Sequence, residues 1–252
     1  MGGVRVIESP QNQKVKRWLA LTETRGIKKH GAFVLSGRKA VPEALARHGG
    51  WFTAVLAQKE ADLDALRLPE KIDRYILAKP IFDMLDTNGT GYPLLAGDVP
   101  EMADADFSTP PKGIELVCAL GDPSNLGALL RSAAAFGVTR IVLMEGAAHP
   151  FHPKALRGGA NAQFAMTFLR GGNWAALDGA GGRLVALEGA GEDMNDYDWP
   201  RDLRLVLGEE GQGVPRSLTA ARLAIATTGV VESLNATVAA SIALHAWFKA
   251  RG

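Results

Sequence analysis

A single cysteine, Cys118, in a chain of 252 residues leaves no partner for an internal disulfide and no set of thiolates for a zinc cluster. It lies in the apolar run Ile114-Glu115-Leu116-Val117-Cys118-Ala119-Leu120, where it reads as a small core hydrophobe. No stretch approaches the roughly 18 consecutive apolar residues of a membrane helix. The first twenty residues lack the apolar centre of a secretory signal. These absences point to a reducing, cytoplasmic setting. A charge excess is missing too, with 28 Lys and Arg facing 27 Asp and Glu. With 47% hydrophobic residues the chain can build a core, which excludes disorder, collagen and coiled coil. Its length suits one large domain or two modest ones.

The near-neutral total conceals an uneven distribution. Residues 1–40 carry Arg5, Lys14, Lys16, Arg17, Arg25, Lys28, Lys29, Arg38 and Lys39 against Glu8 and Glu23 alone, an excess of seven positive charges. Such a block suits a nucleic-acid backbone, because neutralising phosphates releases counterions. The plainer alternative is a solvated surface helix. The candidate RNA contacts are Lys14, Lys16, Arg17, Lys28, Lys29 and Arg38.

Residues 100–112 are acidic, carry three prolines and show no apolar period, so 101–112 reads as a linker. Before it, the runs 32–35, 53–57 and 74–77 read as short buried strands among helical stretches near 40–48, 60–67 and 80–86, which makes residues 1–100 a small α/β domain. After it, strands near 114–120, 140–144, 165–169, 183–187, 203–207 and 223–227 alternate with longer connections, and a helix from about 234 to 250 closes the chain. This pattern predicts an α/β domain with a parallel sheet over 113–252. Ligands of such sheets bind beyond the carboxyl ends of the strands, so the loops after 120, 187, 207 and 227 are the ones to examine.

Three of these loops carry unusual chemistry. The first, Gly121-Asp122-Pro123-Ser124-Asn125-Leu126-Gly127, opens a helix that holds Arg131 and stops at Gly137. Arg131 is either a ligand contact beside Asn125 or a cation that snorkels to solvent. The second, Gly208-Glu209-Glu210-Gly211-Gln212-Gly213, lets backbone approach a ligand or is simply a flexible turn. It is neither a Rossmann nor a P-loop signature. In the third, Glu232, Ser233 and Asn235 stand at the mouth of a long apolar helix, where free N–H groups can hold a ligand or Ser233 can act as a plain cap. His245 has no cysteine or second histidine at metal spacing and reads as structural, so no metal is expected.

In this order, the three segments resemble the motifs of the SpoU/TrmH family of RNA ribose 2′-O-methyltransferases, within the SPOUT superfamily. The likeness spans 114–248, through Asn-x-Gly-x-x-x-Arg-x-Ala-x-x-Phe-Gly at 125–137, Gly-x-Glu-Gly-x-Gly at 208–213 and Glu-Ser-Leu-Asn at 232–235. Residues 7–45 are similar to the family's N-terminal RNA-binding extension, which has an L30e-like fold. The resemblance implies a C-terminal trefoil knot, S-adenosyl-L-methionine as cofactor, an RNA substrate (rRNA favoured over tRNA) and a homodimer that completes the active site. It implies that Arg131 is catalytic, with Asn125, Glu210, Ser233 and Asn235 around it, and that the cofactor meets mostly backbone at Leu187, Gly189, Gly208, Gly211, Ile225 and Leu234. Two segments depart from the family pattern. Ile225-Ala226-Thr227 replaces the frequent Ile-Pro-Met, and Asn235-Ala236-Thr237 replaces Asn-Val-Ser. They give the alternative reading its footing: an RNA-binding factor that keeps the fold without turnover. A nucleotide-dependent oxidoreductase is disfavoured by the glycine spacing.

Overall fold

Short apolar runs become the strands of two separate sheets in the computed structural model, which describes residues 3–209, 211–231 and 233–251. The first unit runs to Glu101 and takes in His149–Phe164; the second starts at Met102 and resumes at Ala165. The boundaries therefore differ from the expected ones in two places, each with a physical reason given below.

In the first unit, β1 (Arg5–Ile7), β2 (Ala32–Leu35), β3 (Phe52–Ala57), β4 (Asp73–Leu77) and β5 (Leu94–Asp98) form a sheet in the order β1-β4-β3-β5-β2. β1, β4 and β3 run parallel, while β5 pairs antiparallel with both β3 and β2. Helix α1 (Gln13–Ala20) starts where Asn12 Oδ1 accepts the Lys14 N–H at 2.9 Å. It buries Val15 and Trp18, three residues apart on one face, and leaves Lys14, Lys16 and Arg17 exposed. Helix α2 (Thr24–His30) ends at Gly31, whose φ of +56° favours glycine. Helices α3 (Ala40–His48), α4 (Glu60–Asp64) and α5 (Lys79–Leu85) complete the set before residue 101. The inserted segment 149–164 belongs here because Phe151 and Phe164 pack on Phe33 of β2, with ring centroids 5.0 and 5.8 Å away. It contains α7 (Pro153–Gly159).

The same packing buries His149, whose Nδ1 accepts the Phe151 N–H at 3.2 Å. Burial, helped by Lys28 and His152, pushes its imidazole pKa down from 6.5 to about 4. The folded state thus binds fewer protons than the unfolded one between these values. The stabilisation is complete above about pH 6.5 and is lost as pH falls towards about 4. Urea midpoints should fall across this window in the parent and fall less in His149→Gln; equal slopes would contradict the assignment.

The second unit holds six parallel strands: β6 (Ile114–Cys118), β7 (Arg140–Met144), β8 (Thr167–Gly172), β9 (Arg183–Asp193), β10 (Leu203–Leu207) and β11 (Ala221–Ala224), in the order β11-β9-β10-β6-β7-β8. Helix α6 (Pro123–Ala135) follows β6, and α8 (Ala236–Lys249) follows β11. Both central strands, β6 and β10, are buried along their whole length. The segment expected to be a linker packs here from Met102 onward. Its Phe107 is buried, the Ala105 N–H donates to the Arg170 carbonyl at 2.8 Å, and the Arg170 N–H returns to Ala103 at 2.9 Å. One buried cation secures it: Arg204 of β10 donates to the carbonyls of Thr109 at 2.7 Å and Gly181 at 2.6 Å. Composition alone does not reveal such anchoring. Among the described residues no helix is long and apolar enough to cross a membrane.

Candidate active site

A cavity of about 580 Å³ opens where β9, β10 and β11 end or deform, a volume typical of small-molecule sites. Three local features of the sequence shape it. First, β9 pairs with β11 through Ala186–Arg222 and again through Glu192–Leu223, so residues 187–191 leave the ladder and bulge into the cavity wall. Gly191 permits this because a side chain there would press on the Arg222 carbonyl, 2.5 Å away. Arg222 holds the bulge from the other side, with Nη1 2.5 Å from Glu188 Oε2 and Nη2 2.7 Å from the Pro215 carbonyl.

Second, the loop after β10 folds back on itself. The Gly213 N–H donates to the Glu209 carbonyl at 2.9 Å, and Gly211 and Gly213 adopt φ of +91° and +70°. Gly208 is required for a different reason: an added Cβ would collide with the backbone of Gly213 and Val214. Third, the chain after β11 returns to α8, whose first turn is capped by Asn235. Its Oδ1 accepts the N–H groups of Thr237 at 2.9 Å and Val238 at 3.3 Å. Asn235, rather than Ser233, is therefore the cap, and α8 begins at Ala236 instead of 234.

The cavity lining contains all six positions expected to touch a cofactor through backbone: Leu187, Gly189, Gly208, Gly211, Ile225 and Leu234. Ser233 and Asn235 line it as well. Asn125 does not, yet it adjoins the wall, with its Oδ1 3.4 Å from Asn235 Nδ2. It sits in the first turn of α6, whose cap is Asp122, accepting the Asn125 N–H at 2.8 Å. Arg131 lies nearly two turns further along α6, exposed and outside the cavity lining of this chain. Glu210 and Glu232 lie outside the described residues. Reading the sequence did not pick out Glu188, Glu209 or Arg216, which also line the cavity. The adjacency of Glu209 to the second motif was the available signal for one of them.

The six basic candidates all lie exposed in the first unit. Lys14, Lys16 and Arg17 project from α1, with the Lys14 ammonium 5.4 Å from the centre of the Tyr75 ring. Lys28 and Lys29 occupy the last turn of α2. Arg38 follows β2 and donates from Nε and Nη2 to the Thr90 carbonyl at 3.0 and 2.6 Å. Among the described residues no three His, Cys, Asp or Glu side chains are grouped to hold a metal ion. His245, which reads as structural in the sequence, is exposed on α8, its ring 5.7 Å from that of Phe136.

The sequence profile of the SpoU rRNA Methylase family matches residues 115–245. A Syntrophobacter fumaroxidans protein named ribosomal RNA small subunit methyltransferase G 2 is 35% identical over 97% of this chain. The chain spans only 49% of that protein's length, so its name also covers residues with no counterpart here. A Bacillus subtilis protein, the 23S rRNA (guanosine(2553)-2′-O)-methyltransferase RlmP, is 30% identical, with 96% of this chain and 98% of the relative covered. The crystal structure of an AdoMet-bound rRNA methyltransferase from Sinorhizobium meliloti has the same fold. Its TM-score is 0.80 over 98% of both chains, at 22% identity.

Proposed function

Because the chain belongs to the SpoU rRNA methylase family, we propose that it transfers a methyl group from S-adenosyl-L-methionine to a ribose 2′-oxygen of ribosomal RNA. The observation that carries this reading is the cavity itself, in which the second and third motifs meet beside the Asn125 end of the first. Its chemistry fits the cofactor. Leu187, Leu207, Ile225 and Leu234 offer apolar surface for a nucleoside, glycine backbone offers close hydrogen-bonding groups, and Glu209 offers negative charge towards a cationic sulfonium or ammonium. When bound, the cofactor supplies an electrophilic methyl group.

The residues of the chain have separate tasks. Ser233 and Asn235 hold the turn that walls the cavity, and Asn125 orients the ribose or the arginine. A guanidinium is a poor general base, so Arg131 acts through its charge. As a cation it stabilises the negative charge growing on the attacking 2′-oxygen and grips the adjacent phosphate. Positioning of the attacking oxygen in line with the methyl group supplies much of the rate.

Arg131 stands on the exposed face of α6 with Ala128 and Ala135, and α8 exposes Val238, Ile242 and Phe248. This supports a homodimer in which the arginine of one copy serves the cavity of the other. The strand order, with β10 inserted between β9 and β6, and the two loops that wall the cavity support a trefoil knot in the same region. The first unit, with its exposed Lys and Arg, serves as the L30e-like RNA-binding domain, and the cytoplasm is the site of action. Labelled S-adenosyl-L-methionine offered with unmodified ribosomal and transfer RNA transcripts tests the reading: label should enter ribosomal RNA. Incorporation into neither RNA, with the cofactor bound, would favour a binding factor without turnover.

A further inference from the structure

Two hydrogen-bonded rungs join α6 to α8. In the first, the Thr237 hydroxyl donates to the main-chain carbonyl of Asn125 at 2.9 Å, beside the contact between the Asn125 and Asn235 side chains. In the second, Ser241 and Ser132 share a hydroxyl contact of 2.8 Å, and the Ser241 hydroxyl also lies 2.7 Å from the Thr237 carbonyl. Thr237 is buried, and its own N–H is held by the Asn235 cap at 2.9 Å. The rungs bracket Arg131, which is next to Ser132 in sequence. The same first turn of α8 supplies Asn235 and Ala236 to the cavity wall.

The geometry points to Thr237 as a positioning residue for methyl transfer: its hydroxyl ties the first turn of α6, which carries Asn125, to the helix that walls the cofactor cavity. The inference rests on the methyltransferase reading above. The carbonyl of Asn125 lies in the first turn of α6, so a shift of α8 along this contact moves the start of that helix against the cavity. A misplacement of about 1 Å can cost up to about a hundredfold in rate when reacting groups must align. Ser at position 237 would keep the hydroxyl, whereas Val keeps the branched shape and removes it. The departure of Asn235-Ala236-Thr237 from the family's Asn-Val-Ser therefore preserves the group that matters here.

The test is single-turnover methyl transfer by the full chain carrying Thr237→Val or Thr237→Ser, with cofactor dissociation constants measured alongside. The valine variant should lose about tenfold or more in the single-turnover rate while its cofactor affinity stays within about threefold, and the serine variant should retain the parent rate. A parent single-turnover rate in Thr237→Val overturns the inference. So does a loss of affinity as large as the loss of rate, which marks a purely structural contact. If the valine variant does not fold, Thr237→Ala, which also lacks the hydroxyl, carries the test, and a parent transfer rate there overturns the inference. A parent protein that methylates no RNA removes the methyltransferase reading itself, and this inference falls with it.

Discussion

Arg131→Ala is expected to bind S-adenosyl-L-methionine within a few-fold of the parent and to lose about 10²–10³ in methyl transfer, the scale seen when one charge-stabilising donor is removed. The separation follows from placement. Leu187, Gly189, Gly208, Gly211, Ile225 and Leu234 line the cavity, whereas Arg131 stands outside it on the exposed face of α6. Arg131 forms no part of the wall that this chain builds for the cofactor, and the role proposed for it lies at the ribose in the partner copy's cavity. A cation that meets charge only as the 2′-oxygen attacks contributes to the transition state and not to the ground state. Arg131→Lys keeps the charge without the planar fork, so it should recover only part of the rate. Equilibrium binding and single-turnover transfer on the same preparation check the split. Near-parental turnover in the alanine variant would remove Arg131 from the chemistry.

Arg204→Met is expected to cost about 3–5 kcal/mol of stability, because it leaves Glu115 buried without its principal partner. The Arg204 and Glu115 side chains are 2% and 5% exposed, and Nε lies 2.7 Å from Oε1. The same guanidinium also holds the carbonyls of Gly181 and Thr109, so the substitution releases segment 101–112 as well. Arg140 offers the contrast. It meets the other carboxylate oxygen of Glu115 at 3.1 Å, but its side chain is 50% exposed. Arg140→Met should therefore cost under about 1 kcal/mol. Urea unfolding followed by circular dichroism compares them. Equal effects, or a loss below about 1 kcal/mol for Arg204→Met, would contradict the anchoring role.

Local pattern made several elements legible. The runs Ala32–Leu35, Arg140–Met144 and Leu203–Leu207 are short, apolar and bounded by polar or glycine residues, and they are β2, β7 and β10. Elements defined by distant partners were not legible. β1 has three residues, leaves Val6 exposed and is a strand only through its pairing with β4. β5 contains Gly97, which its pattern disfavours but its packing requires, since a side chain there would press on the Trp51 carbonyl and the Phe33 ring. The insertion 149–164 joins the first unit through aromatic contacts with a strand more than a hundred residues away.

The site divides in the same way. The glycines and polar residues of the three loops stood out because the chemistry of turns and caps is local. The bulge of β9 did not, because it depends on where β11 resumes pairing. Thr237 was noticed only as a departure in the third motif; that its hydroxyl reaches Asn125 is a property of how two helices pack.

The most direct measurement is the chemical form of the transferred methyl group. After incubation of unmodified ribosomal RNA with the protein and labelled S-adenosyl-L-methionine, alkaline hydrolysis cleaves every linkage except those whose 2′-oxygen is methylated. Label recovered in an alkali-resistant dinucleotide is the predicted result. Label recovered only in mononucleotides would place the methyl group on a base and contradict ribose 2′-O-methylation.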